Sequence, residues 1–291
     1  MYTSLLMPER SGAALTRVTR YLHGRESPRG GFCFYRSAEV DEPNLFDTYH
    51  AVSTLTLLGD PLPGKAALLR FVQLFPPTSQ LPALYYRTLI LHSLARPDLI
   101  ESNKIRRLSL AVPAAGHLSR TAALRRMFET VQLKRFLHAN LIAPVVVRWI
   151  IAAQRDGGFG DKPNLLDTYS ALHVLAGLDG LNDVVASAAC RFVDMLQIRA
   201  YGFTITADST ASSLEVVLAG VQCCKLLHLP VRYPRDIVSF VLACQAADGG
   251  MSRVPGALPE IESTHYGVML LLALADRAAA NDNVGTDDSW R

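Results

Sequence analysis

The chain has 291 residues, 49% of them hydrophobic and 19% charged, with a formal net charge of +3. That is enough apolar material for one large core or two ordinary domains, and too little positive charge to suggest a nucleic-acid partner. No apolar run reaches the ~18 residues of a membrane-spanning helix, and the opening MYTSLLMPERSGA lacks the basic flank and apolar stretch of a signal peptide, so a cytoplasmic protein is expected.

In chain order, residues 1–12 read as a flexible leader. ALTRVTRYLHGR is an amphipathic helix, and a loop rich in Gly, Pro and charge leads to a second helix, LFDTYHAVSTLTLLG. GKAALLRFVQLF and PALYYRTLILHSLA, joined by the breaker-rich FPPTSQ, make a second pair. The third pair is less regular, SNKIRRLSLAV and then LSRTAALRRMFETVQLKRFL. Residues 142–178 make the fourth, NDVVASAACRFVDMLQIR and TASSLEVVLAGVQCCKLL the fifth, and residues 236–276 the sixth. Residues 278–291 are polar and read as a disordered tail. The five cysteines (Cys33, Cys190, Cys223, Cys224, Cys244) show no CxxC spacing and read as reduced, small hydrophobic side chains.

Three of these pairs are copies of one unit. Superposing them brings Gly31, Gly158 and Gly250 together, places Asp47, Asp167 and Glu262 at the start of the second helix, and puts His50, Ser170 and His265 three residues on. A unit that cannot bury both faces alone needs a neighbour on each side, so residues 13–277 are expected to form a single all-α domain. Six pairs closing on themselves give a toroid, with first helices outside and the more continuously apolar second helices inside. All inner helices then start at one mouth. Acids there serve first as helix-terminus residues, accepting from free backbone N–H groups and meeting the positive end of the helix dipole. Histidines repeated three residues further in have no such structural duty. His173 and His228 are isolated and read as core or surface residues.

The stretch QRDGGFGDKPNLLDTYSALHVLAGL, residues 154–178, resembles the repeats of the protein prenyltransferase β-subunits and the squalene and terpene cyclases. Gln154 and Asp156-Gly157-Gly158-Phe159 match the Gln-aromatic repeat, and Lys162-Pro163 with Asp167-Thr168-Tyr169 look most like the β-subunit version. The resemblance implies an (α/α)6 toroid around an apolar, aromatic-lined cavity that holds an isoprenoid chain. In the prenyltransferases it further implies a zinc ion held by an Asp, a Cys two residues later and a His, positions that fall on Asp208, Thr210 and His265. Thr210 departs from the pattern by lacking the thiolate. It also implies an Arg that touches diphosphate, matched by Arg87 after Tyr85 and Tyr86; Arg120, Arg125 and Arg126 are further cation candidates.

Three functions are compatible with these residues: an enzyme acting on a prenyl diphosphate or polyprenyl chain by transfer or cyclisation, a non-catalytic isoprenoid-binding or protein-interaction toroid, and a peptide- or polysaccharide-processing enzyme sharing only the fold. For the first, the expected catalytic set is Asp47, His50, Asp167, Asp208, Glu262 and His265. Tyr49, Tyr85, Tyr169 and Tyr266 would line the cavity beside Arg87, their ring faces able to stabilise a carbocation. A metal version, with Zn or Mg, requires Asp208 and His265 plus a third ligand from Glu262 or His50. An acid version requires one carboxyl with a raised pKa and no metal. A separate protein partner or self-association would follow the prenyltransferase precedent.

Overall fold

A computed structural model of the chain describes residues 6–62, 64–75, 80–113, 118–139 and 141–284. Twelve α-helices are found among them: α1 Leu6–Gly24, α2 Leu45–Leu57, α3 Lys65–Leu74, α4 Leu81–Ser93, α5 Ser102–Arg107, α6 Arg120–Phe136, α7 Pro144–Ile151, α8 Leu165–Gly177, α9 Asp183–Met195, α10 Leu214–Leu226, α11 Pro234–Ala243 and α12 Ile261–Val284. The even-numbered helices pack side by side in sequence, and α12 returns onto α2, closing an inner ring. Helices α3, α5, α7, α9 and α11 each lie outside the inner helix that follows them, while α1 packs outside α12. The fold is therefore the all-α toroid the repeats imply. Strand structure among the described residues amounts to two short antiparallel pairs, β1 (Gln197–Ile198) with β2 (Gly202–Phe203), and β3 (Met251–Ser252) with β4 (Pro259–Glu260).

The core lies between the two rings. Leu55, Leu91, Leu133, Leu172, Leu175 and Val268 on the inner helices are fully buried, each large side chain contributing about 1.5–3 kcal/mol of transfer free energy. Outer helices instead carry one apolar stripe, such as Ala14, Val18, Tyr21 and Leu22 on α1.

The joints between units repeat in atomic detail. A Cβ added to Gly30, Gly157 or Gly249 would stand 2.2, 2.3 or 2.2 Å from the carbonyl oxygen of Ala67, Ala188 or Arg17 respectively, in each case on the next outer helix. The following glycines, Gly31, Gly158 and Gly250, meet the rings of Phe71, Phe192 and Tyr21 in the same way. Gln154 Nε2 donates to the carbonyls of Gly157 (2.9 Å) and Val185 (3.2 Å), and Gln245 Nε2 donates to those of Gly249 (3.0 Å) and Ala14 (2.9 Å). The last unit thus grips the first helix as unit four grips unit five.

Three expectations change. Residues 6–12, expected in a flexible leader, are the first turns of α1, since a helix anchored by packed later turns extends at little cost; residues 1–5 lie outside the described residues. Residues 278–284 continue α12, where a run of alanines favours helix; of the expected tail, only residues 285–291 lie outside the described residues. The alignment at the last inner helix also shifts by one. Backbone N–H groups of Phe32, Phe159 and Met251 donate to the hydroxyls of Thr48, Thr168 and Thr264 (2.9, 3.0 and 2.8 Å), which makes Ser263, rather than Glu262, the counterpart of Asp47 and Asp167.

Candidate functional site

At the starts of α2 and α8 the caps are asparagines, with the aspartates three residues in. The side chains of Asn44 and Asn164 accept from the backbone N–H groups of Asp47 and Asp167 (both 2.9 Å), and their amides donate back to Asp47 Oδ2 (2.6 Å) and Asp167 Oδ2 (2.8 Å). Asp167 also accepts from Thr121 Oγ1 of α6 at 2.6 Å. Both aspartates are buried, and burial raises the pKa of Asp47 against the opposing Asn44 bond. Their carboxylates are occupied in holding helix ends together.

Asp208 and Arg87 stand apart from the mouth. Asp208 is exposed in the loop before α10, whose cap is Ser213; it accepts from Thr206 Oγ1 at 2.7 Å, a bond that lowers its pKa. Arg87 is buried and directed at the segment after α4, where Nη1 donates to the Leu99 carbonyl at 3.4 Å and lies 3.8 Å from Glu101 Oε1.

The residues that face one another come from a single register. Counting from the residue before each inner helix (Asn44, Gln80, Ser119, Asn164, Ser213 and Glu260), the fifth and sixth positions are Tyr49 and His50, Tyr85 and Tyr86, Leu124 and Arg125, Tyr169 and Ser170, Leu218 and Ala219, His265 and Tyr266. Tyr49 lies 5.9 Å from Tyr85, 5.4 Å from Tyr86 and 6.2 Å from His265 between ring centroids; His50 lies 5.2 Å from His265 and 5.8 Å from Tyr266. Phe46 meets His50 edge-on at 4.7 Å. Tyr49, Tyr85, Tyr86, Tyr169 and Tyr266 keep part of their surface accessible, yet burial is the first cause raising each phenol pKa. They form a half-buried aromatic cluster on the inner helices. Further along α8, the His173 ring lies tilted against Tyr169 at 4.5 Å and meets Phe128 edge-on at 6.0 Å.

Electrostatically this cluster is short of cations. Burial brings the imidazole of His265 down to about 4, and burial with the neighbouring His265 depresses His50 well below its ordinary value, so both rings are neutral near pH 7. The Thr54 hydroxyl has one proton and donates it to the His50 carbonyl at 2.6 Å. His265 Nδ1, 2.9 Å from the same oxygen, must therefore be the donor there, leaving Nε2 with its lone pair. His50 Nδ1 is buried without a partner, and Nε2 is 3.9 Å from Glu262 Oε1, too far for a hydrogen bond. Glu262 accepts from Tyr266 OH at 2.7 Å; burial and the nearby Glu215 and Glu260 raise its pKa against that bond. Glu129 is likewise raised by burial, with Arg125 Nε 3.5 Å away, and Arg125 also interacts with the Tyr86 phenol.

A metal has no matching donor set here. No group of three or more His, Cys, Asp or Glu side chains is gathered as a metal site among the described residues. Asp208, on its exposed loop, is not grouped with His265, and burial raises the thiol pKa of Cys223 and Cys244, opposing the thiolate a zinc ligand must become. Arg125 was one of the cation candidates, whereas Glu129 and Tyr86 were not among the expected site residues. The signal for Tyr86 and Arg125 was the offset from the helix cap, which holds in the faded units where the glycine pattern does not; Glu129 follows from Arg125 by the i, i+4 spacing of a helix.

Comparison with known proteins agrees with this architecture. The family model described as the prenyltransferase alpha-alpha toroid domain matches residues 4–76 and 125–287. No curated protein matches the sequence. Among solved structures, Candida albicans protein geranylgeranyltransferase-I complexed with GGPP is similar with a TM-score of 0.64 and 12% identity, over 80% of this chain and 85% of that one. A variant of a type II terpene cyclase from Scytonema, in complex with its product merosterolic acid A, is similar with a TM-score of 0.56 and 12% identity, over 94% and 99%. The apo form of that cyclase gives a TM-score of 0.58 and 9% identity, over 93% and 98%.

Proposed function

Because the chain belongs to the prenyltransferase alpha-alpha toroid domain family, we propose that it is an isoprenoid-processing enzyme that holds its substrate chain against the tyrosine cluster of the inner ring. The observation that carries this reading is the convergence of Tyr49, Tyr85, Tyr86 and Tyr266 with the neutral His50 and His265 at one height of the ring. Aromatic faces bind an apolar chain and stabilise positive charge developing along it. Similar structures were solved with GGPP and with a terpenoid product, which supports an isoprenoid ligand without deciding between transfer and cyclisation.

The charge pattern favours a chain reacting away from a diphosphate. A diphosphate needs several fixed cations, whereas Arg125 is partnered by Glu129 and Arg87 is turned to Glu101. Glu262 is the candidate proton donor, since burial and neighbouring acids hold its carboxyl toward the protonated form; the Tyr266 hydroxyl would stabilise the carboxylate once the proton has left. The lone pair on His265 Nε2 could take a proton back from a spent cation.

Mass spectrometry of lipids retained after gentle purification, followed by titration with farnesol and farnesyl diphosphate, tests this. A retained isoprenoid, or saturable binding that Tyr49→Ala and Tyr85→Ala weaken, is expected. Failure of the folded protein to bind either ligand overturns the reading. Binding without turnover, unchanged by Glu262→Gln, would assign a non-catalytic isoprenoid-binding toroid instead.

A further inference from the structure

The end of the ring opposite the aromatic cluster, where α5 and α6 stop and α7 begins, has another chemistry. Arg106 and Arg107 close α5, Lys134 and Arg135 close α6, and Lys134 Nζ donates to the Arg106 carbonyl at 2.9 Å, a bond that joins the two helix ends and brings the four cations to the same end of the ring. Among the described residues, Arg106, Arg107 and Arg135 have no carboxylate within ion-pair distance; Glu101 nearby is engaged by Arg87 and Lys104. Arg135 lies along Gly177, its Cδ 3.3 Å from where a Cβ would stand, and forms one wall of a cleft of about 560 Å³ lined also by His92, Ile100, Ser102, Phe136 and His138. In the approach to α7 and its first turn, Ile142 and Val145 stand 82% and 58% exposed. Helix dipoles favour cations in the last turns of α5 and α6, but they give no reason for large aliphatic side chains held in water beside them.

We propose that this face docks on an anionic phospholipid bilayer, with a headgroup phosphate entering the Arg135 cleft and Ile142 and Val145 reaching into the interface. Unpaired cations complement the surface potential of such a membrane, and aliphatic tips flanking them supply the apolar part of an interfacial contact. A cleft of this size takes a headgroup rather than a peptide segment. The exposed aliphatics stand singly, unlike the contiguous patch of about 800 Å² that a stable protein interface needs on each partner.

Sedimentation of the full chain with vesicles of phosphatidylcholine alone, and of phosphatidylcholine mixed with phosphatidylglycerol, tests the proposal. Binding to the mixed vesicles only is expected, weakening as salt rises. Each cation contributes about fivefold to partition, so Arg107→Glu with Arg135→Glu should lower it at least ~25-fold, and Ile142→Asp should remove the binding that survives at high salt. These positions are solvent-facing, and circular dichroism of the variants confirms that the fold is retained. Equal binding to both vesicle types, no binding to the mixed vesicles, or unchanged binding by the charge-reversed variant overturns the proposal. Capture by polyglutamate with no vesicle binding would assign the face to an acidic protein and overturn it too.

Discussion

Substituting Gly249 with alanine tests whether the ring is closed by the joint between the last unit and α1. Gly249 has φ +98°, and an added Cβ would lie 2.2 Å from the Arg17 carbonyl oxygen and 2.7 Å from its carbon. Backbone cannot give way as a flexible side-chain tip can. The unfavourable φ costs about 1–3 kcal/mol for a residue with a Cβ, and forcing α1 outward adds about 1–3 kcal/mol of overpacking, for about 2–6 kcal/mol together. Gly256 supplies the control, with φ +82° but nothing within 4 Å of its added Cβ, so Gly256→Ala should show the conformational part alone. Gly157→Ala, whose Cβ would meet the Ala188 oxygen at 2.3 Å, should cost as much as Gly249→Ala. Urea denaturation followed by circular dichroism measures all three. If Gly249→Ala is no more destabilising than Gly256→Ala, while Gly157→Ala is severe, α1 does not close the ring and the packing of unit six on unit one is wrong.

Replacing Arg87 with alanine leaves Glu101 poorly compensated in a mostly buried place and should cost about 3 kcal/mol of stability, while isoprenoid titration of the folded variant stays unchanged; lost binding at unchanged stability would return Arg87 to the aromatic cluster. Asp167→Asn keeps an acceptor for the Thr121 hydroxyl and should be nearly silent in denaturation, whereas Asp167→Ala strips the Asn164 amide and Thr121 hydroxyl of their acceptor and should cost about 1–3 kcal/mol; Asp208→Asn should change neither stability nor binding. His173 and His265 are both brought down from 6.5 to about 4 by burial. The unfolded chain therefore binds their protons first, and stability present above pH 6.5 is lost as the pH falls to 4, by about 3 kcal/mol per ring. The buried Asp47 and Glu129 and the half-buried Glu262, raised in pKa, act with the opposite sign in acid, so the measure is the difference from His173→Phe, whose acid limb should be flatter than that of the parent chain. Identical limbs would mean that His173 is solvated.

The fold was legible because its joints use residues with few substitutes. Only a glycine lets one unit's turn meet the next helix's backbone, and Gln154 and Gln245 each bridge the turn and the next outer helix. The site was less legible, for two physical reasons. Loops between the fixed points differ in length: Phe32 to Thr48 spans 16 residues, Phe159 to Thr168 spans 9 and Met251 to Thr264 spans 13, so aligning on acids slipped the last copy by one and set His265 against His50, when its counterpart is Tyr49. Arg87, beside Tyr85 and Tyr86 in sequence, is turned from them by ~100° for each further residue of helix, enough to carry it from the lumen into the wall.

That same rotation separates what the repeat must keep from what it can change. The fourth position after the cap residue, Thr48, Thr168 or Thr264, binds the backbone of the preceding turn, and the third binds the cap itself through Asp47 or Asp167, so both are committed to structure. The fifth and sixth have no such duty and point into the ring. There the six units diverge, the fifth position being Tyr49, Tyr85 and Tyr169 in three, Leu124 and Leu218 in two and His265 in the last, while the sixth runs through His50, Tyr86, Arg125, Ser170, Ala219 and Tyr266. Aromatic and imidazole side chains collect on α2, α4 and α12, small and aliphatic ones on α10, and the acids Glu215 and Glu262 enter from the second position of neighbouring helices, with Glu215 close enough to raise the cost of ionising Glu262. On the proposed function, the contrast between the aromatic and imidazole side chains of α2, α4 and α12 and the small, aliphatic ones of α10 would orient an unsymmetrical apolar chain so that the same end meets Glu262.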